Sequence, residues 1–285
     1  MASEEKIQLM PLGEIKPYED APFKVRLDEN MEELVESIKE NGVLVPTIAR
    51  PHIDGGVEML AGHRRLKGCE LAGLDKLPVI VKDLDDDTAI ILLVDSNLHR
   101  EDILPSEKAF AYQMKLEAMK RQGKRTDLTC EQFAHKKSSE ILGEQVGESK
   151  DQIRRYIRLT NLIDPLLEMV DNKQIAFNAA VELSYLGSKE QSEVYQSIEA
   201  EEVAPSIEQS RKIRRFSQDG KLNTAVIESI MQEQKPEKIK ITLDEDKINR
   251  YFPKNYTKKQ IEDTIIRLLE HYRKQQLKKK NQMER

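Results

Sequence analysis

The chain has 285 residues, of which 34% are charged and 38% hydrophobic, with no Trp and a formal net charge of −5. Such a length suits roughly two domains, and the charge excludes a surface that is basic all over while leaving room for one local basic face. No apolar stretch approaches the roughly 20 residues that a membrane span requires, and residues 1–6 lack a basic segment followed by an apolar run, so a cytoplasmic location without a membrane partner is expected.

Residues 7–12 and 43–50 read as short apolar strands, and between them Met31, Leu34, Val35 and Ile38 share one helical face that Asn41-Gly42 terminates. Residues 47–50 and 57–60 flank Pro51-His52-Ile53-Asp54-Gly55-Gly56, whose turn chemistry predicts a β-hairpin. A helix follows over 63–72, a buried strand over 77–81, and an apolar helix over 85–98 that opens on acids. Cys69 and Cys130 lie far apart and without metal-ligand spacing, which argues against a disulfide or zinc site.

From Pro105, which suits the first turn of a long helix to about Arg121, strand signals vanish. Residues 211–240 are charged and broken by Gly220 and Pro236, which predicts an interdomain connection, with 222–232 able to form a helix. Residues 238–243 alternate like a strand. Thr257 is placed to cap a last helix carrying a stripe of Ile261, Ile265, Leu268, Leu269 and Tyr272. The expected class is α+β. A mixed α/β domain spans 1–104, an all-helical domain 105–210, a linker 211–237, and a small strand-plus-helix association module 238–285.

Two strings carry the chemistry of an anion site. In the first, a strand feeds through Ala61-Gly62 into a helix that begins with His63, Arg64 and Arg65. Helix N-termini offer unpaired N–H groups and partial positive charge, glycine permits close approach, and arginine forks match phosphate oxygens. The second, residues 95–109, sets Asn97, His99 and Arg100 with two acids at a junction between helices. On residue types alone, a polar capping loop is the better account of it.

Residues 138–159 have helix-turn-helix spacing. Ile141, Leu142 and Val146 line the first helix, Gly147 makes the turn, Ser149 caps the second helix, and Ile153, Tyr156 and Ile157 face inward. Lys150, Gln152, Arg154, Arg155 and Arg158 are left outward. Lys150, Gln152 and Arg154, beside Ser149, are the candidates for base edges; Lys136, Lys137 and Arg155 suit phosphates.

In order and spacing these segments resemble the ParB partition family over nearly the first 190 residues. Residues 7–17 and 34–50 resemble its first box and cytidine-contacting loop. Ala61-Gly62-His63-Arg64-Arg65 resembles its phosphate box, Asn97-Leu98-His99-Arg100-Glu101-Asp102 its Glu-Asn-X-X-Arg segment, and 138–159 its DNA reader. The resemblance implies a ParB/sulfiredoxin-like first domain that binds CTP with Mg²⁺, closes as a homodimeric clamp on double-stranded DNA, and hydrolyses CTP slowly. By position, Gly62, His63, Arg64 and Arg65 hold phosphates, Asn97 helps place the metal, Arg100 reaches the triphosphate, and Thr47 and Arg50 face the nucleotide. Lys173 and Asn178 would add DNA contacts, and the protein would be nucleoid- or plasmid-associated.

His63 stands where the family has an acid, and Ser96 where it has a Glu, which removes a carboxylate from beside the metal. Binding is therefore expected ahead of turnover, and no catalytic residue is assigned. The family's ATPase partner binds a basic N-terminal segment; the roughly six residues ahead of the first box hold two acids and one base, so that partner is doubtful. The alternative is a helix-turn-helix transcription or nucleoid-occlusion regulator with a relict nucleotide site. Sulfiredoxin-type phosphotransfer needs a cysteine at the turn, where Gly62 stands, and the acids at 83–87 read as a solvated helix start rather than a nuclease centre.

Overall fold

A computed structural model describes residues 6–98, 100, 102–126, 138–233, 251–252 and 256–283. Strands β1 (Ile7–Pro11), β2 (Ile15–Pro17), β3 (Thr47–Pro51), β4 (Val57–Ala61) and β5 (Lys76–Val81) form one sheet in the order β1-β5-β3-β4-β2. β1 runs antiparallel to β5 and β3 antiparallel to β4, while β3/β5 and β2/β4 are parallel. The hairpin β3–β4 is as expected from its turn residues. The strand expected over 43–50 starts only at Thr47, because Pro46 has no N–H to give a ladder. Three residues of β2 are too few for a period to show.

Alternation decides the buried face: Ala49, Met59, Leu77 and Val79 point to one side and pack with Ile38 of α1 (Glu29–Asn41) and Leu66 and Cys69 of α2 (His63–Ala72). Cys69 is a buried free thiol, and Cys130 lies outside the described residues. Asp28 caps α1 by accepting from the Met31 N–H at 3.0 Å.

α3 (Asp86–Leu98) lies against β4 and along α4 (Pro105–Thr126). Phe23, Val94 and Ala111 are buried together there. Glu107 on α4 accepts from the backbone N–H of Lys24 at 2.8 Å and of Leu104 at 3.0 Å, and Arg121 pairs with Asp87 at 2.6 Å. These bonds join the α/β part to the helical part.

The helical part continues with α5 (Ser138–Val146), α6 (Lys150–Arg158), α7 (Asp164–Asp171), α8 (Phe177–Leu183), α9 (Ser188–Glu201), α10 (Ile207–Gln218) and α11 (Thr224–Met231). Its core runs from Ala109 through Leu166, Ala180 and Val194 to Ile213, Ile227 and Ile230. Within the connection expected from residue 211, two helices extend as far as Met231, with Ile213, Ile227 and Ile230 buried despite the charged surroundings. Ser206 and Asn223 cap these two helices by accepting from Gln209 and Val226 N–H.

Residues 1–233 form one compact unit and 234–285 a second. In the second, Thr257 caps α12 (Lys258–Met283), as the sequence predicts, and Leu268, Leu269 and Tyr272 of the expected stripe are exposed. The strand expected at 238–243 lies outside the described residues. Among the described residues, no helix is long and apolar enough to cross a membrane.

Candidate functional site

Gly62 connects β4 to α2 in a left-handed conformation, φ +109°. A Cβ there would lie 2.4 Å from Cγ2 of Thr47, which is fully buried and donates its hydroxyl to Pro78 O at 3.2 Å. The close approach of β3 to this turn therefore requires glycine. No side chain caps α2, so the place usually filled by a Ser, Thr, Asp or Asn oxygen is left to an anion.

The turn opens on a cavity of about 390 Å³ lined by Phe23, Val25, Leu34, Val45, Gly62, His63, Arg64, Arg65, Ser96, Asn97 and Arg100. Six of the eight residues that the sequence assigns to the nucleotide meet here: Gly62, His63, Arg64, Arg65, Asn97 and Arg100. Two strings some thirty residues apart converge, with three arginines and, among the described residues, no carboxylate in the lining. A roomier groove of about 650 Å³ between α7 and α9 carries Glu168, Glu199 and Glu202 and repels anions.

The side chains divide by partner. Nη2 of Arg64 is 3.5 Å from Asp28 Oδ1, a loose and half-exposed pair. Arg65 donates from Nη1 to the carbonyls of Val45 at 2.5 Å and Pro46 at 2.8 Å, and burial lowers its pKa. His63 Nε2 is buried without a hydrogen-bond partner among the described residues; burial and the nearby Arg100 charge hold the imidazole pKa below its ordinary value. Asn97 Nδ2 donates to Leu93 O at 2.8 Å and Ser96 Oγ at 3.2 Å, and its backbone carbonyl accepts from Arg100 N–H at 3.1 Å.

Two expected residues stand elsewhere. Thr47 supports the turn from beneath. Arg50 is held across the hairpin by Glu58 at 2.7 Å and by Asp86 at 2.6 Å, and does not line the cavity. Leu34 and Val45 belong to the 34–50 segment that the resemblance already places near the nucleotide; the sequence reading missed Phe23 and Val25, apolar residues whose only signal would have been their nearness in the fold.

This donor set fits an anion with an apolar part. Among the described residues no cluster of three or more His, Cys, Asp or Glu could hold a metal ion. Mg²⁺ commonly takes one or two carboxylates beside phosphates and waters; among the described lining residues the neutral amide oxygen of Asn97 is the candidate ligand, so the phosphates would have to bring most of the negative charge.

The helix-turn-helix forms as read. Leu142 and Ile153 pack with Tyr112 of α4, and Ser149 caps α6 by accepting from Gln152 N–H at 3.1 Å. A Cβ on Gly143 would lie 2.6 Å from Glu148 O, so this glycine, which the spacing did not single out, sets how tightly the turn folds over α5. Arg154 and Arg155 are exposed on α6, Arg154 60% so, and Lys150 bonds Glu140 Oε1 at 2.6 Å. Arg158, expected outward, instead turns inward: it donates to Ser184 O at 3.0 Å and stacks on Tyr185, whose ring Arg214 also faces at 3.5 Å. Lys173, at φ 60°, and Asn178 are exposed, while Lys136 and Lys137 lie outside the described residues.

A family model described as the ParB N-terminal domain matches residues 1–98, and one described as the ParB HTH domain matches residues 101–219. The chain belongs to the ParB family. It is 36% identical over 166 residues to the chromosome-partitioning protein Spo0J of Thermus thermophilus, covering 58% of this chain and 55% of that one. It is 30% identical over 187 residues to the nucleoid occlusion protein of Listeria monocytogenes, covering 66% and 60%. The chain thus spans little more than half the length of these curated relatives. Among solved structures, the C-terminally truncated chromosome-partitioning protein ParB from Caulobacter crescentus complexed with CTP-gamma-S matches at 24% identity and TM-score 0.32, covering 68% of this chain and 98% of that one.

Proposed function

We propose that this ParB-family chain is a partition protein that binds double-stranded DNA through α5 and α6 and binds CTP, with Mg²⁺, in the cavity beneath Gly62. The observation that carries the reading is the convergence of an uncapped helix N-terminus, three arginines and four apolar side chains on one cavity of about 390 Å³. Phosphates fit the cationic part, and a flat base fits the apolar part. Mg²⁺ would arrive with the phosphates and use Asn97 as a neutral ligand; bound, it would offset triphosphate charge.

For DNA, exposed Arg154 with Gln152 is the pair suited to base edges, and Arg155 with Lys173, Asn178, Lys136 and Lys137 suits the backbone. Ser149 acts through its cap. Homodimerisation, the nucleotide-gated clamp and a nucleoid or plasmid location belong to this proposal. The Listeria relative favours a second reading, nucleoid occlusion, which differs in where on the chromosome the protein binds rather than in its chemistry.

The test is equilibrium binding of CTP, ATP, GTP and UTP with Mg²⁺, with and without DNA bearing candidate sites. CTP-selective binding that Arg64→Ala weakens about tenfold, as loss of one charge-assisted contact implies, is the expected outcome. Binding of none of the four would leave a helix-turn-helix regulator on a relict scaffold.

A further inference from the structure

We propose that Tyr185 is a positioning residue for DNA recognition: by gathering Arg158 of α6 and Arg214 of α10 around its ring, it fixes the rotation of α6 about its own axis and so the base preference of Arg154. This rests on the reading of α6 as the base-contacting helix. It makes α10, which carries none of the residues assigned to DNA, a determinant of specificity.

Three residues at the end of α8 hold arginines from two other helices. Arg158, the last residue of α6, donates from Nη2 to Ser184 O at 3.0 Å, and its guanidinium carbon lies 4.0 Å from the centre of the Tyr185 ring. The carbonyl it takes is at the C-terminus of α8, where partial negative charge favours a cation. The guanidinium carbon of Arg214 lies 3.5 Å from the same ring centre, and its Nη1 donates to Glu182 Oε2 at 2.8 Å. Arg211 donates from Nε to the other oxygen of Glu182 at 3.2 Å. Nε of Arg158 and Nε of Arg214 are both buried without a hydrogen-bond partner among the described residues, a cost that an apolar pair would avoid. What two planar guanidiniums at one ring add is direction.

Direction is what the rest of the α6 contact lacks. Its inner face is held by Ile153, buried with Leu142 and Tyr112, and by Tyr156, whose ring lies 5.6 Å from that of Tyr112 and 4.8 Å from that of Phe177. Such burial brings α6 close but is non-directional. Arg154 and Arg158 are one turn apart on one face of α6, so a clasp on the second acts where the first leaves the helix. Side chains reach about 5–6 Å from a helix axis, and a rotation of ~10° moves their outer atoms by ~1 Å. A bond to a base edge at about 2.9 Å does not survive that shift. Contacts to phosphates, which position without specifying, are less exacting.

The probe is a duplex recovered from a randomised pool by the wild-type full chain, with a scrambled duplex of the same composition as reference. In Tyr185→Leu the ratio of the two affinities falls about tenfold, while binding to the scrambled duplex stays within about twofold and keeps its salt dependence. Tyr185→Phe, which retains the ring, keeps the wild-type ratio. Arg214→Met lowers the ratio although it is not on α6; Glu182 keeps Arg211, so this variant serves if Tyr185→Leu does not fold. Arg154→Ala costs about tenfold in the wild-type background and less than about threefold in Tyr185→Leu, because a misdirected α6 no longer brings Arg154 to its base. An unchanged ratio in Tyr185→Leu, a loss in Tyr185→Phe as large as in Tyr185→Leu, or additive effects with Arg154→Ala overturns the proposal. So does an equal loss on both duplexes together with a lower thermal midpoint, the mark of a merely structural residue. A wild-type chain that recovers no preferred duplex, or that loses nothing in Arg154→Ala, overturns instead the reading of α6 as the base-contacting helix.

Discussion

Gly62 and His63 show how much a single residue decides at this turn. Gly62 adopts φ +109° with Thr47 Cγ2 only 2.4 Å from where a Cβ would stand, so Gly62→Ala combines backbone strain with a clash and should cost about 1–3 kcal/mol, seen as a lower urea midpoint and weaker nucleotide binding. His63 makes a pH prediction. Its folded pKa lies below the ordinary 6.5, so below pH 6.5 the unfolded chain binds a proton that the native protein does not. Stability therefore falls as pH drops from 6.5 toward the folded value. His63→Gln, neutral throughout, should flatten that fall by at most about 1.4 kcal/mol per pH unit, read from denaturant titrations between pH 5 and 7. The Gly-His-Arg-Arg string was legible because strand, glycine and helix are local. The destination of Arg65 was not, since its carbonyl partners lie 19 and 20 residues back in a loop whose path no periodicity sets. Arg50 was more readable than it looked: the hairpin pairs it with Glu58, and only the neighbouring Asp86 needed the fold.

Helices and strands were read well wherever one face is buried and poorly where charge conceals it. Most of α10 was expected within a connection because residues 211–240 are charged and broken by Gly220 and Pro236, whereas α11 was allowed for as a helix over 222–232; Ile213, Ile227 and Ile230 seat both on the core. Arg158 follows Arg154 and Arg155 around α6 by count, but the end of α8 lies against that turn, and Tyr185 draws the guanidinium in. Spacing cannot report which neighbour a helix meets. At the turn of the DNA reader, Gly143→Ala pushes a methyl toward Glu148 O, 2.6 Å away, and should destabilise by about 1–3 kcal/mol while displacing α6. Electrophoretic shift on a specific site should show affinity lost together with the thermal midpoint. Arg154→Ala, exposed and free of the core, should leave the midpoint alone and relax base preference by about 1–3 kcal/mol.

At the scale of the molecule the question is whether the α/β part and the DNA reader behave as one body. Residues 1–233 are one compact unit, and a single ammonium lies at the join. Lys115 of α4, its side chain 1% exposed, bonds Asp95 of α3 at 2.5 Å and Gln145 of α5 at 2.6 Å. Asp95 is two residues from Asn97, which lines the cavity beneath Gly62, and Gln145 is in the first helix of the helix-turn-helix. A buried ion pair adds little net stability over an apolar pair, but it defines one geometry and penalises others. Lys115→Met keeps the length of the side chain and removes the charge; Asp95, nearly half exposed, rehydrates, so the cost should be about 1–3 kcal/mol rather than the full price of a deeply buried orphan charge. The sharper outcome concerns cooperativity. In wild type, urea transitions followed by far-ultraviolet circular dichroism and by amide exchange in β3–β4 and in α6 should coincide. In Lys115→Met the exchange of α6 should separate from that of the sheet, and any effect of the proposed nucleotide on DNA affinity in the wild type should shrink together with the reciprocal effect of DNA on nucleotide. Coincident transitions and unchanged coupling in the variant would mean that the apolar contact of Phe23, Val94 and Ala111, with the bonds of Glu107 and Arg121, joins the two parts without help from the Lys115 ion pair.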